Sequence, residues 1–336
     1  MPEPEYSIIV PAYQAADQVG LCVQALQRQS VARAKYEIIV VDDGSTDKTA
    51  SVARAAGADR VLIIPHGGPA TARNAGIAAA RGEITLFTDA DCEPPPTWVE
   101  KMVAPFANAE VVGAKGSYRS RQRALIARLV QLEYEVRYER MSHLARIDFI
   151  DTYAAAYRRN VLQSAGGFDP HYPIPSAEDI DLSFRLARAG YWLTFTPEAW
   201  VWHSHPSSLR VYLRRKGQYG LWRALLYLRY PEKIGGDTHT DPALKAQFAL
   251  LALAISLLLV ALFWWPAGVA ALAVLTAIGA VTIPFVHWAW PRDRGVATIW
   301  PLVSILRVAM QGGGLVLGLV YHGLLRRHNS QDSTGR

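Results

Sequence analysis

Between residues 246 and 290 the chain contains no Asp, Glu, Lys or Arg. A globular interior would need an improbably large core to absorb so long an uncharged run. Helices crossing a membrane absorb it readily, because a hydrocarbon layer of about 30 Å takes roughly 20 apolar residues at about 1.5 Å each. The pattern predicts spans at 244–265 and 267–290, with Trp264, Trp265, Trp288 and Trp290 as interfacial aromatics. A third apolar stretch, 297–325, carries Arg307 and the triplet Gly312-Gly-Gly314. A crossing, re-entrant or interfacial course all remain open for it.

Ahead of this region the composition is that of an ordinary α/β enzyme. The net charge of +6 raises the question of nucleic acid, but no nucleic-acid-binding signature is present, so nucleic acid is not an expected partner. The basic residues concentrate at 119–146 and 207–235, and the second cluster stands directly before the apolar region, as attraction to anionic headgroups and positive-inside placement require. Two cysteines, Cys22 and Cys92, make no disulfide framework, which suits a reducing compartment. The start of the chain runs into a strand without a basic and apolar leader, so no signal peptide is expected.

The order of elements predicts the fold class. Tyr6-Ser-Ile-Ile-Val10 is a short apolar strand stopped at Pro11-Ala12-Tyr13, and a helix follows over 17–29. A second strand, Tyr36-Glu-Ile-Ile-Val-Val41, precedes a helix over 48–56, and Arg60-Val-Leu-Ile-Ile64 is a third strand. Gly67-Gly68-Pro69 opens a helix over 70–81, and Ile84-Thr-Leu-Phe87 runs into Thr88-Asp89-Ala90-Asp91. Strands and helices alternating in this way indicate an α/β protein with a mostly parallel sheet and right-handed crossovers.

Ligands of such sheets bind beyond the carboxyl ends of the strands, and each strand end here carries useful chemistry. Asp42 and Asp43 have carboxylates for a base N–H or a ribose hydroxyl, although Asp-Asp-Gly-Ser is also an ordinary turn and helix cap. Arg73 lies on the first turns of a glycine-opened helix, where it would pair with phosphate or simply face solvent. Asp89 and Asp91, two apart, suit a hard cation already held by phosphates, and equally an acidic turn. No Walker A loop and no G-x-G-x-x-G occurs in this region, which removes the best evidence for a P-loop kinase or a dinucleotide-binding dehydrogenase.

Four stretches taken together are specific. Ile9-Val-Pro-Ala-Tyr13, Val41-Asp-Asp-Gly-Ser-Thr-Asp47, Gly68-Pro-Ala-Thr-Ala-Arg-Asn-Ala-Gly76 and Phe87-Thr-Asp-Ala-Asp91 resemble, in order and spacing, the successive blocks of family 2 glycosyltransferases with the GT-A fold. The resemblance implies a Rossmann-like mixed sheet and a nucleotide-sugar donor, usually a UDP-sugar. It places Pro11, Ala12, Tyr13, Asp42 and Asp43 around the base, with Arg73 on base or phosphate. Asp89 and Ala90 would lie by the ribose, and Asp91 on a Mn²⁺ or Mg²⁺ ion bridging the diphosphate.

Further along, 119–146 reads as an amphipathic helix with a basic side, packed on the catalytic domain in preference to the membrane. Residues 148–157 read as a strand. Gly166-Gly-Phe-Asp169 and Ala177-Glu-Asp-Ile-Asp-Leu182 extend the resemblance, although acids on a first helical turn are expected from the helix dipole alone. By that match Asp179 is the general base that deprotonates an acceptor hydroxyl, and Glu178 positions acceptor or donor hydroxyls. The resemblance also implies a histidine completing the metal site after Trp200-Val-Trp202; His203 is the expected one over His205, because it projects to the same side of a strand as Val201, and an ordinary surface histidine is the alternative. The Gln-x-x-Arg-Trp motif of processive members is absent, and Arg215-Lys-Gly-Gln-Tyr-Gly220 looks closer to bacterial exopolysaccharide and glycolipid enzymes.

The resulting expectation is a cytoplasmic GT-A catalytic domain over 1–235, a membrane domain over 243–326 and a tail over 327–336. The enzyme would sit in the inner (plasma) membrane and transfer a sugar, with inversion and a divalent metal, to a hydroxyl of a membrane lipid or lipid-linked glycan. A polyprenyl-phosphate glycosyltransferase and a non-catalytic sugar-nucleotide-binding assembly subunit remain as alternatives.

Overall fold

A computed structural model describes residues 3–172, 174 and 177–332. The tail expected from 327 continues the last helix to Asp332, and 333–336 lie outside the described residues. The chain forms two compact units. One is Met1–Gln122 with Arg137–His205, and the other is Arg123–Val136 with Pro206–Arg336. Residues 123–136 and the basic stretch 207–235, which the sequence suggested keeping with the catalytic part, thus cluster with the apolar helices.

The first unit contains strands β1 (Tyr6–Ala12), β2 (Tyr36–Asp42), β3 (Arg60–Ile63), β4 (Ile84–Phe87), β5 (Val111–Arg119), β6 (Ala155–Arg158) and β7 (Trp192–Trp202). Its helices are α1 (Val19–Gln27), α2 (Thr49–Ala55), α3 (Pro69–Ala79), α4 (Trp98–Val103), α6 (Arg159–Ser164) and α7 (Glu178–Arg188); α5 (Leu125–Ser142) contributes its last turns. The seven strands form one sheet in the order β3-β2-β1-β4-β6-β5-β7. All neighbours are parallel except β6, which runs antiparallel to both β4 and β5.

These elements follow from local chemistry. All seven residues of β2 are buried, as a strand covered on both faces requires. Its one misplaced-looking residue, Glu37, accepts hydrogen bonds from the Ser7 hydroxyl (2.7 Å) and from the backbone and guanidinium of Arg81 (2.9 and 2.8 Å). Helix α3 starts where the sequence predicts, with Pro69 at its first turn and Gly68 before it. Two strands differ from expectation. β5 was not anticipated, because Gly113, Lys115, Gly116 and Ser117 interrupt its apolar run and its register with β7 shifts on both sides of Lys115. The strand expected over 148–157 is confined to Ala155–Arg158, since Thr152–Ala154 form a 3₁₀ turn.

The second unit contains α8 (Leu209–Arg229), α9 (Pro242–Ala261), α10 (Pro266–Ala280), α11 (Ile283–Ala289) and α12 (Arg294–Asp332). Among the described residues, three segments are long and apolar enough to cross a membrane: Pro242–Ala261, Pro266–Ala289 and Arg294–Leu324. The first ends at Ala261, earlier than the sequence suggested, and Pro266 then opens the next helix. The third is a single helix running through Pro301 and Gly312–Gly314. Its charge is met: Arg307 donates to the carboxylate of Glu133, which also pairs with Lys216 (3.1 Å) and accepts from the Tyr212 hydroxyl (3.1 Å). Helices α8 and α12 touch backbone to backbone, and a Cβ on Gly314 would lie 2.1 Å from the carbonyl oxygen of Gly217. That contact tolerates only glycine.

Candidate active site

The carboxyl ends of β1, β2, β4, β5 and β7 share one edge of the sheet, and antiparallel β6 brings its amino end to the same edge. Every residue singled out from the sequence is placed around this edge or on α3 and α7.

Register puts Pro11 beside Val41 and Ala12 beside Asp42. The Asp42 carboxylate accepts from the Ser45 amide (2.9 Å), and Asp43 accepts from the amides of Gly67 (2.8 Å) and Gly68 (2.9 Å). Both carboxylates are buried and serve to shape loops. Gly44 between them and Ser45 has φ of 74°, and a Cβ there would lie 2.8 Å from the His66 amide nitrogen, so glycine is required. Asp43 also pairs with His66 Nδ1 (3.0 Å), and the His66 ring stacks on half-exposed Tyr13 with centroids 4.3 Å apart. The outcome is an aromatic platform, Tyr13 with His66, tethered by Asp43. His66 was not singled out from the sequence, and no local pattern marks it.

Arg73 does not face solvent. It is buried, donating from Nη1 to Glu178 (2.8 Å) and from Nη2 to Asp89 (3.2 Å), while its Nε lacks a hydrogen-bond partner among the described residues. Its neighbour Asn74 clamps the backbone of Phe168 on both sides, accepting from its amide (2.8 Å) and donating to its carbonyl (2.7 Å). Helix α3 therefore carries the link between the Asp89 side of the edge and the first turn of α7. Glu178 is buried and engaged by Arg73. Asp181, one turn on, holds Arg185 (3.0 Å), which in turn donates to the Gly167 carbonyl (2.6 Å).

Asp91 and His203 meet at the far side of β4, with His203 Nε2 3.3 Å from Asp91 Oδ2. His205 is buried, with its Nδ1 3.3 Å from that of His203 and its backbone carbonyl accepting from the Gln122 side-chain amide (3.0 Å). The His203 ring stacks on Tyr118 (4.3 Å). Burial pushes the Asp91 carboxyl up, but the hydrogen bond and charge of His203 outweigh it and hold the group below its usual range. Asp89 moves the other way, raised by burial and by the charge of Asp91 despite Arg73. Buried Ala90 separates the two carboxylates. Among the described residues no group of three or more His, Cys, Asp or Glu is placed to hold a metal ion by itself. Asp91 and His203 suit a divalent cation that takes its remaining ligands from diphosphate oxygens and water.

Asp179 is half-buried at the start of α7, where one carboxylate oxygen accepts from the Ile180 amide (2.8 Å). Its carboxyl is raised well above the ordinary aspartate range, first by burial and then by the charges of Glu178 and Asp151, with Arg73 opposing. A carboxylate in that state is a stronger base than an exposed one. The sequence also gave no warning of the buried group behind it: Lys115 of β5, paired with Asp151 and donating to the Tyr153 hydroxyl (3.1 Å). A lysine inside an interrupted apolar run was the only available sign.

Comparisons with known proteins fit this edge. Residues 7–165 match the profile described as glycosyl transferase family 2. The pre-mycofactocin glycosyltransferase of Mycobacterium tuberculosis is 33% identical over 230 residues, covering 62% of this chain and 46% of that protein. The glycosyltransferase AglE of Haloferax volcanii is 28% identical over 232 residues, covering 65% and 74%. The chain thus spans about half the length of the first of these relatives and three quarters of the second. A mannosyltransferase of Pyrobaculum calidifontis, solved in complex with GDP-Man and Mn²⁺, shares the fold with a TM-score of 0.61 at 22% identity, covering 95% of this chain and 88% of that one. Residues 7–165 thus form a glycosyl transferase family 2 domain, and the mixed seven-stranded sheet around it has the GT-A fold.

Proposed function

We propose that this protein transfers a sugar from a nucleotide-diphosphate donor to a hydroxyl of a membrane lipid or lipid-linked glycan, with inversion at the anomeric carbon. The observation that carries the reading is the pairing of a raised carboxylate, Asp179, with the Asp91–His203 pair, the two joined through the Glu178–Arg73–Asp89 bridge. In this reading the nucleobase lies on the Tyr13–His66 platform beside Pro11 and Ala12. A bound Mn²⁺ or Mg²⁺ supplies charge neutralisation for the departing diphosphate. The manganese and GDP-Man in the Pyrobaculum mannosyltransferase support a metal and a nucleotide-sugar donor. Asp179 takes the proton from the attacking hydroxyl. Arg73, fixed by two carboxylates, sets the distance between the donor and base sides of the edge.

The three apolar segments anchor the enzyme where a lipid acceptor lies. Sugar nucleotides are made in the cytosol and 207–235 is basic, so we place residues 1–240 on the cytoplasmic side of the inner membrane. With three spans the tail lies outside; a C-terminal reporter accessible only in the cytoplasm would overturn that count.

The test is turnover against a panel of nucleotide sugars with membrane extract as acceptor, with and without Mn²⁺ or Mg²⁺. A glycosylated lipid of inverted anomeric configuration is expected, and absence of transfer from every donor would sink the reading. If Asp179→Asn kept full turnover on polyprenyl phosphate, an already ionised acceptor that needs no base, a polyprenyl-phosphate transferase would be the better description. Donor binding without turnover would instead indicate an assembly subunit.

A further inference from the structure

Lys115 is fully buried in the first unit, and the proposed chemistry does not use it. An interior lysine is costly unless its charge is met, so its surroundings are informative. Its ammonium pairs with Asp151 and donates to the Tyr153 hydroxyl at 3.1 Å, with the rings of Tyr153, Phe149 and Tyr138 at 4.9, 5.1 and 5.6 Å. The Tyr153 hydroxyl meets that of Tyr138 (2.6 Å), which accepts from the Tyr118 amide (2.9 Å), and Tyr118 is the ring on which His203 stacks. On the other side, the residue before Asp151 is tied to the base: the Ile150 amide donates to the Ser183 hydroxyl (3.0 Å), which donates to the carbonyl of Asp179 (2.7 Å). One buried network therefore reaches the segment carrying the base and the ring supporting the metal-side histidine.

We propose that Lys115 is a positioning residue: it neutralises Asp151 beside Asp179 and, through Tyr153 and Tyr138, fixes the floor shared by Asp179 and His203. The inference rests on reading Asp179 as the base. The charged and titratable groups acting on Asp179 are Glu178 on its own helix, Arg73 on α3, Asp151 ahead of β6, Tyr157 on β6 and Lys115 on β5. Of the anions among them, Glu178 is paired with Arg73 and Asp151 with Lys115. Removing only the anion of the second pair leaves an uncompensated cation near the base, whereas removing both charges leaves a neutral site.

The experiment compares the full-length protein with Asp151→Asn and with Asp151→Asn/Lys115→Met, two readouts being taken on each. In Asp151→Asn the amide oxygen still accepts from the Lys115 ammonium, whereas Lys115→Met leaves Asp151 no ammonium donor and endangers folding, so the neutral double variant takes its place. The first readout is the acidic limb of kcat/KM. The second needs no substrate: the difference in unfolding temperature between each protein and its Asp179→Asn counterpart, followed against pH. Because the Asp179 carboxyl is raised in the folded state, its contribution to stability is full below the ordinary aspartate value and is lost as pH rises through the raised value. In Asp151→Asn both transitions are expected to move to lower pH by about one unit, the size of shift a nearby charge produces. In the double variant both return toward the parent. Identical limbs in the single and double variants, or uniform rate loss without a shift, would overturn the proposal. A protein with no transfer activity whose stability transitions still follow this order would sink the reading of Asp179 as base while leaving the placement of Lys115 supported.

Discussion

The bridge made by Arg73 yields a prediction whose size follows from burial. Glu178 and Arg73 are 2.8 Å apart with side chains only 3% and 5% exposed, whereas Asp89, the second partner at 3.2 Å, is 33% exposed. Removing one member of a buried pair typically costs about 3–5 kcal/mol, because the other is left as an uncompensated charge. Arg73→Met takes the cation from buried Glu178, whereas Asp89 retains access to water. Glu178→Gln is gentler: the amide oxygen still accepts from Nη1 and Arg73 keeps Asp89, so the loss is about 1–2 kcal/mol. For a unit of this size each kcal/mol shifts the midpoint by about 2–4 °C. Arg73→Met should therefore unfold roughly 10 °C below the parent and Glu178→Gln about 2–8 °C below. Arg73→Met/Glu178→Met, which removes both charges, should regain part of the loss. The assay is thermal unfolding of the detergent-solubilised chain, with loss of the first unit read by limited proteolysis. If Arg73→Met were no less stable than Glu178→Gln, or the double variant less stable than Arg73→Met, the bridge would not be the structural element described.

Three further outcomes follow. Asp179→Asn should lower kcat by about 10²–10⁴-fold with donor KM unchanged, and the parent's kcat/KM should rise with pH through a value above the ordinary carboxylate range, because a raised group stays protonated and inactive where an ordinary aspartate is ionised; a limb near pH 4 would contradict this. Chelation should abolish transfer and Mn²⁺ restore it, and Asp91→Asn should raise the metal concentration for half-activity by at least about 10-fold in a metal titration, as loss of a ligand entails. Gly116→Ala should destabilise by about 1–3 kcal/mol or more in the same unfolding assay, since its Cβ would lie 2.0 Å from the carbonyl oxygen of Ala199 across the β5–β7 pairing.

The carboxyl edge of the sheet was legible in the sequence because each block sits where an apolar strand stops. Arg73 was legible as a residue but not in its partners, since Glu178 is 105 positions away and spacing carries no information about such a pairing. Strand β5 escaped notice for a related reason: its glycines and Lys115 are explained only by the close approach of β7 and by Asp151, both supplied by distant segments. Helix α5 was visible as amphipathic, yet nothing local marks Val136–Arg137 as the point where its residues pass from one compact unit to the other.

The reversed strand β6 turns the working edge into a seam between two stretches of chain. Donor-side groups up to Asp91 come from one continuous stretch. Asp151, Asp179 and His203 come from a second, joined to the first by the pairing of β4 with β6 from Ile84–Arg158 to Phe87–Ala155. Were β6 parallel, Asp151 would sit at the opposite edge. Its reversal lets two stretches distant in the chain meet at one edge: in the proposed reading the first supplies the nucleotide-binding groups and Asp91, and the second supplies the base Asp179 and the other metal ligand, His203. Variation in the second stretch must still leave Arg73 a carboxylate at 178, the ion pair that ties α7 to α3 across the seam.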